Sequence, residues 1–208
     1  MNVTVCTMYS PSHQPLADIS IPNLQWYCDK HSYNMKIIEV ENDKWEYKKH
    51  EAFMAMFKHL EYGSVVWYKD IDSLITNMTI PITNYIDNDH SFYLTKDFTE
   101  LNGGSVIIKN TGRGRSVNDF ILSKKEQYQN EQNVYNACFE RIKPHTKILP
   151  HPSINSYQYE LYPECKKYVG KEYLGDWKIG NLLFHVPALS MDKRIQALKN
   201  IKQHIIYE

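Results

Sequence analysis

Ser64-Val-Val-Trp-Tyr-Lys-Asp-Ile-Asp72 is the stretch on which the fold turns. Val65 to Tyr68 form an apolar run too short for a helix, of the kind expected in the middle of a sheet covered by helices on both faces. Asp70 and Asp72 follow at once. In extended backbone, residues two apart point the same way, so both carboxylates are expected to face one hard cation held between the protein and a substrate's phosphates. An isolated D-x-D is also how many strands simply end in solvent, so the surrounding sequence has to decide its meaning.

Upstream, Val3 to Met8 reads as a first strand, ended by Ser10-Pro11, and a loop from Ser12 to Pro15 leads into a helical segment with Leu24, Tyr27 and Cys28. Met35 to Val40 reads as a second strand, and Phe53, Met56, Phe57 and Leu60 recur at helical spacing before Gly63. Downstream, Ser91 to Leu94 reads as a strand, and Leu101-Asn-Gly-Gly104 as a turn into a strand over Ser105 to Ile108. Ser116 with Asp119 looks like a capping box opening a helix with Val117, Phe120 and Ile121, and a further helix is expected over 131–141. Residues 150–180 are rich in Pro, Tyr and Gly and show no period. Asn181 to Val186 reads as a last strand, and Met191, Ile195, Leu198 and Ile205 mark a C-terminal amphipathic helix. Alternating strands and helices predict an α/β fold, in which ligands bind beyond the carboxyl ends of the strands. Asp70 and Asp72 lie at such an end.

With 208 residues, 42% of them hydrophobic and 13% aromatic, the chain can bury a core of its own, and a single domain over residues 1–208 is expected. Lys plus Arg and Asp plus Glu are 24 each, so no overall basic field favours nucleic acid or an anionic membrane as a partner. The N-terminus lacks a basic n-region and an apolar h-region, and no stretch reaches the ~18 apolar residues of a membrane span. We therefore expect a cytoplasmic location. Cys6, Cys28, Cys138 and Cys165 are widely spaced and contain no C-x-x-C pair, so reduced thiols are expected rather than a zinc knuckle or disulfide framework. The sequons at Asn2 and Asn77 read as chance matches. Gly112-Arg-Gly-Arg115 lacks the ending of a phosphate loop and reads as a basic solvent loop.

Three more segments give the D-x-D a context. Val65 to Asn77 resembles the "tryptophan, hydrophobic, D-x-D, small, leucine" segment of glycosyltransferase family 34, the galactosyl-, mannosyl- and xylosyltransferases. Asp97 to Asn110, DFTELNGGSVIIKN, is similar to that family's L-N-x-G segment, Glu131-Gln132 stands where it has an acidic-Gln pair, and Leu183-Phe-His185 resembles its terminal strand. The likeness touches most of residues 60–200. It implies a GT-A fold, a Rossmann-like mixed sheet flanked by helices, and a metal-dependent enzyme that transfers a hexosyl group of glucose or galactose type from a UDP-sugar. The acceptor implied is a hydroxyl of a glycan or glycoprotein.

The resemblance further implies that Asp70 faces the nucleotide ribose and the metal, Mn2+ or Mg2+, and that Asp72 and His185 ligate it. Manganese accepts carboxylate, imidazole and phosphate oxygen together, which is consistent with that set. Thr7 and Tyr9 would meet the uracil and ribose, and Asn102, Gly103 and Gly104 would line the sugar pocket, unless the two glycines only form a hairpin turn. Family 34 enzymes retain anomeric configuration; an inverting enzyme would need a carboxylate base, with Asp97 and Glu131 as candidates. The family's His-Phe-x-Gly-Cys continuation is absent, because His185 is followed by Val-Pro-Ala-Leu-Ser-Met191, and Lys193 or Arg194 would have to supply the basic group near the diphosphate. Trp177, between two glycines, is a candidate sugar-stacking platform. A domain of this size without an anchor also resembles the enzymes with which large algal viruses decorate their capsid proteins, and that likeness implies the host cytoplasm as the location if the chain is viral. The rivals are a non-catalytic sugar-binding module on the same fold and a metal-dependent nuclease or phosphatase; zero net charge speaks against the nuclease.

Overall fold

The computed structural model describes residues 1–41, 45–97, 100–162 and 176–208. Strands β1 (Val3–Tyr9), β2 (Asn34–Glu39), β3 (Val65–Lys69), β5 (Phe92–Lys96), β6 (Leu101–Lys109) and β7 (Thr146–Leu149) form one mixed sheet. Its order is β2-β1-β3-β6-β5-β7, with β1 parallel to β2 and β3. β6 runs antiparallel to both β3 and β5, and β7 lies parallel to β5. Strands β4 (Ser73–Ile75) and β8 (Leu183–His185) pair antiparallel as a separate two-stranded ribbon. The last strand predicted from sequence exists, but it belongs to this ribbon.

Every residue of β3 is buried, as an apolar run in mid-sheet requires, and its alternate side chains feed two cores. Val65 and Trp67 pack with Val3, Val5 and Ile107 against Leu24, Tyr27 and Cys28 of helix α1 (Gln14–His31). Val66 and Tyr68 pack with Cys6, Met8, Val106 and Ile108 on the opposite face. That face carries α2 (Lys48–Phe57), α3 (Gly112–Leu122), α4 (Glu131–Ala137) and α5 (Phe139–Ile142), represented by Phe53, Val117, Val134 and Ile142. Helix α6 (Met191–Ile201) joins a third cluster, setting Ala197, Leu198 and Ile201 against Leu16, Leu74 and Phe184.

Several expectations change. Helix α3 starts at Gly112, not Ser116, because Thr111 is the cap: its hydroxyl accepts from Gly114 N at 3.1 Å. The Gly-Arg-Gly-Arg run is therefore a first helical turn and not a loop. Leu101 to Gly104 is no turn either; it is the buried beginning of β6. The helix expected over 131–141 breaks at Cys138 into α4 and α5, and Ile205 lies past the end of α6. Cys6, Cys28 and Cys138 are free thiols, and burial pushes Cys6 and Cys28 up to about 12. Cys165 lies outside the described residues, as do the other residues of 163–175 in the 150–180 stretch.

Candidate functional site

The D-x-D sits where the chain leaves the main sheet for the small ribbon. The β3–β6 ladder runs one step past Lys69, with Asp70 N donating to Gly104 O at 2.7 Å. The chain then turns at Ile71-Asp72 and enters β4. Lys69, fully buried, clamps that turn: its ammonium donates to Asp70 O at 3.2 Å, Ser73 O at 3.0 Å and Ser20 Oγ at 2.9 Å. Burial lowers this lysine to about 8, although Asp72 and Asp70 pull it upward. The two carboxylates thus meet across a turn, and not through the extended i, i+2 geometry expected from the sequence.

Pairing of β4 with β8 places Ser73 opposite His185. This delivers the imidazole to the two aspartates: His185 Nε2 lies 3.1 Å from Asp72 Oδ1 and 3.7 Å from Asp70 Oδ2. One ligand atom from each of the three residues falls within 4.8 Å of the others. Tyr68 donates its hydroxyl to Asp70 Oδ1 at 2.6 Å, and Arg194 Nη1 donates to Asp72 Oδ2 at 3.1 Å. Of the two basic residues considered for the diphosphate, α6 therefore brings Arg194 here, whereas Lys193 lines a different groove. Desolvation raises Asp70, with Asp72 adding to it against the pull of Lys49. Asp72 is only 7% exposed, which by itself would raise it, yet His185 and Arg194 hold it below the ordinary carboxylate range. Two carboxylates and an imidazole in this spacing are a donor set that fits a divalent ion of the manganese or magnesium type.

The two glycines of β6 make room for what surrounds them. A Cβ on Gly104 would come 2.4 Å from His185 Cε1 and 2.9 Å from Asp70 Oδ2. On Gly103 it would come 3.2 Å from Lys49 Nζ and 3.4 Å from Glu131 Oε1. Lys49 of α2 and Glu131 at the start of α4 form a buried ion pair at 2.8 Å, and Lys49 also donates to Gly103 O and lies over the Tyr68 ring. Burial opposes the charge on both, but each raises or lowers the other so that the pair stays ionised.

Two cavities of about 380 and 390 Å³ meet at this point and share Asp70, Gly104 and Gln132. The first holds Asp72, Lys49, Glu131 and Arg194, and its far wall is made of Met8, His13 and Trp45, whose rings meet edge to face at 5.0 Å. The second holds Asp97, Asn102, Tyr157, His185 and Ala188. Ala188 adopts a left-handed φ of 57°, at the position where the His-Phe-x-Gly-Cys pattern has glycine. Asn102 donates to Asp97 Oδ2 at 3.0 Å and to Tyr157 Oη at 2.8 Å.

Thr7 and Tyr9 line neither cavity. Alternation along β1 sends Met8 to the cavity wall and Thr7 to the other face, where it is fully buried, and Tyr9 packs in the cluster of Leu16 and Ile71. Trp177 is also elsewhere, edge-on to Phe184 and donating to Thr76 Oγ1 at 3.1 Å. Lys49, Met8, His13, Trp45 and Asn155 are site residues that the sequence did not single out. Nothing in the local pattern marks them, because α2 brings Lys49 to Gly103 over a separation of 54 residues.

No protein-family model matches the chain. An α-1,2-galactosyltransferase of Schizosaccharomyces pombe is 20% identical over 199 residues, covering 73% of this chain; the chain spans 53% of that relative's length. Among solved structures, a glycosyltransferase involved in glycosylation of the major capsid of PBCV-1 superposes with a TM-score of 0.74 at 18% identity, covering 96% of this chain and all of that one. The glycosyltransferase GlyE of Streptococcus pneumoniae gives 0.65 at 11% identity, over 100% of this chain and 61% of the other. The galactosyltransferase LgtC, solved with donor and acceptor sugar analogues, gives 0.58 at 10% identity, over 97% and 95%. The chain has the GT-A fold of these glycosyltransferases.

Proposed function

We propose that the chain is a metal-dependent glycosyltransferase that moves a hexosyl group from a UDP-sugar to a hydroxyl of a glycan or glycoprotein. The observation that carries this reading is the Asp70–Asp72–His185 triad at the junction of two cavities on a GT-A sheet. A donor spanning the first cavity would lay its base against His13 and Trp45 and its diphosphate beside Arg194, whose Nε has no partner among the described residues. Asp70, Asp72 and His185 would hold a divalent ion, whose chemistry there would be to neutralise the charge that develops on the departing diphosphate. The protein's own groups do the rest. Lys49 and Arg194 place positive charge on that side, and Tyr68 orients Asp70. The backbone of Gly103 and Gly104 lets the sugar approach closely, and the acceptor enters from the second cavity.

Transfer with retention of configuration is the reading we adopt, by the likeness to family 34. Glu131 is engaged by Lys49, which makes it a poor proton acceptor for an incoming hydroxyl. Asp97 lines the second cavity and is the carboxylate an inverting reaction would use there. NMR of the product anomer separates the two, and an inverted product would replace retention by an Asp97-assisted route.

The test of the function itself is release of UDP from a panel of UDP-sugars, together with thermal stabilisation by UDP with and without manganese or magnesium. UDP is expected to stabilise the protein only when the ion is present. Equal stabilisation in EDTA would remove the metal from the proposal, and hydrolysis or transfer from no donor in the panel would remove the enzyme.

A further inference from the structure

The hydrogen bonds around His185 determine which of its nitrogens carries the proton. Gly104 N donates to Asn102 Oδ1 at 2.7 Å, and a backbone N–H cannot be turned into an acceptor. The other end of the same amide, Asn102 Nδ2, meets the carboxylate of Asp97 at 3.0 Å, which can only accept while ionised. Both contacts assign the Asn102 amide the same way. Asn155 lies 2.8 Å from Asn102 Oδ1 and must present its own Nδ2 there. Its Oδ1 is then the atom 2.9 Å from His185 Nδ1, so Nδ1 must be the donor. Asn155 is fully buried, and the chain at its neighbour Ser156 is tied to β8 by His185 N donating to Ser156 O at 2.9 Å.

We infer that Asn155 is a positioning residue that holds a proton on Nδ1 of His185, so that Nε2, which faces Asp70 and Asp72, is the nitrogen that gives its lone pair to an ion. This rests on the proposed metal site. With Nδ1 held as a donor, a cation entering between the carboxylates takes the Nε2 lone pair in place of the proton that Nε2 shares with Asp72, so the relay from Gly104 N–H through Asn102 and Asn155 prepares the site for an ion. Tyr157, edge to face with the imidazole at 5.6 Å and bonded to Asn102, keeps the ring in the plane this demands. Gly104 therefore acts twice, through the N–H that orients Asn102 and through the missing Cβ that leaves space for the ring.

Long-range 15N–1H NMR of the unliganded protein at alkaline pH reads the tautomer of the neutral ring directly and needs no variant. The expected spectrum has the proton on Nδ1; a proton on Nε2 would overturn the relay. Asn155→Leu, close in volume but without an acceptor, is expected to release the ring to the other tautomer and to weaken Mn2+ binding, by calorimetry, about 10-fold or more. Asn155→Asp keeps an acceptor for the Nδ1 proton and is expected to retain the wild-type tautomer while losing the bond to Asn102. An unchanged tautomer and unchanged Mn2+ affinity in Asn155→Leu would overturn the inference. Wild-type protein with the Nδ1 proton but no uptake of Mn2+ or Mg2+ would sink the metal site and leave the relay standing; uptake with the proton on Nε2 would do the reverse.

Discussion

Gly104 lies directly beneath the imidazole of His185, so close that a methyl group on it would stand 2.4 Å from Cε1. The two residues are on different sheets, and their approach brings the end of β8 against the start of β6. Gly104→Ala is expected to leave the fold intact, since residue 104 is ordinary strand backbone, but to push His185 off the aspartates. Metal affinity should fall about 10-fold or more and turnover about 100-fold. Calorimetry with Mn2+ and a UDP-release assay check this; wild-type values for both would show that the ring can yield without consequence.

Asp72→Asn is expected to abolish the metal-dependent stabilisation by UDP and to lower turnover about 100-fold or more. Because Asp72 is buried and engages both His185 and Arg194, the substitution should also destabilise the protein by about 1–3 kcal/mol. Circular dichroism during urea unfolding measures the second effect. Loss of stability without loss of UDP response would make Asp72 a structural residue only.

The Lys49–Glu131 pair ties α2 to α4 across Gly103. Lys49→Met leaves the Glu131 carboxylate buried without its partner and should lower stability by roughly 3–5 kcal/mol. Lys49→Met with Glu131→Gln removes both charges and should recover most of it. Transfer should stay low in the double variant, because Lys49 lines the first cavity. Full recovery of turnover along with stability would confine the pair to a structural part.

Acid should destabilise the protein through His50. Burial lowers this histidine from 6.5 to about 4; it donates through Nδ1 to Asn118 Oδ1 at 2.6 Å and accepts from Tyr135. The unfolded chain binds a proton near pH 6.5 while the folded chain does not, so the stabilisation is complete above that pH and is lost as pH falls toward 4. The loss should reach about 3 kcal/mol. His50→Gln should flatten the pH dependence of the unfolding midpoint over that interval; an unchanged slope would place its origin elsewhere.

What could be read from the sequence is what local pattern controls. The apolar run Val65 to Tyr68 and the strand at the far end of the chain depend on neighbours a few residues apart and appear where expected, and the helix read from Phe53, Met56 and Phe57 is present but ends at Phe57, short of Leu60 and Gly63. The likeness to family 34 added the GT-A fold and singled out Asp70, Asp72 and His185 together. Pattern failed where a local signal had two solutions: Thr111 capped α3 ahead of Ser116, and Asn102-Gly-Gly104 served a strand in place of a turn. It failed also on β1, where alternation is visible but not which face meets the cavity, so Met8 stands where Thr7 and Tyr9 were expected.

Tertiary structure alone decided the rest. His185 reaches Asp72 across 113 residues and Arg194 reaches it across 122, because β8 pairs with β4 and α6 packs on the third core. The Lys49–Glu131 pair and the bond from Asn155 to His185 are of the same kind. The sequence by itself determined those strands and helices whose local period is unambiguous, and the acidic pair that follows β3. Which ends meet was set by the burial of apolar faces from distant parts of the chain, a free-energy balance over the whole molecule that no short window of residues contains.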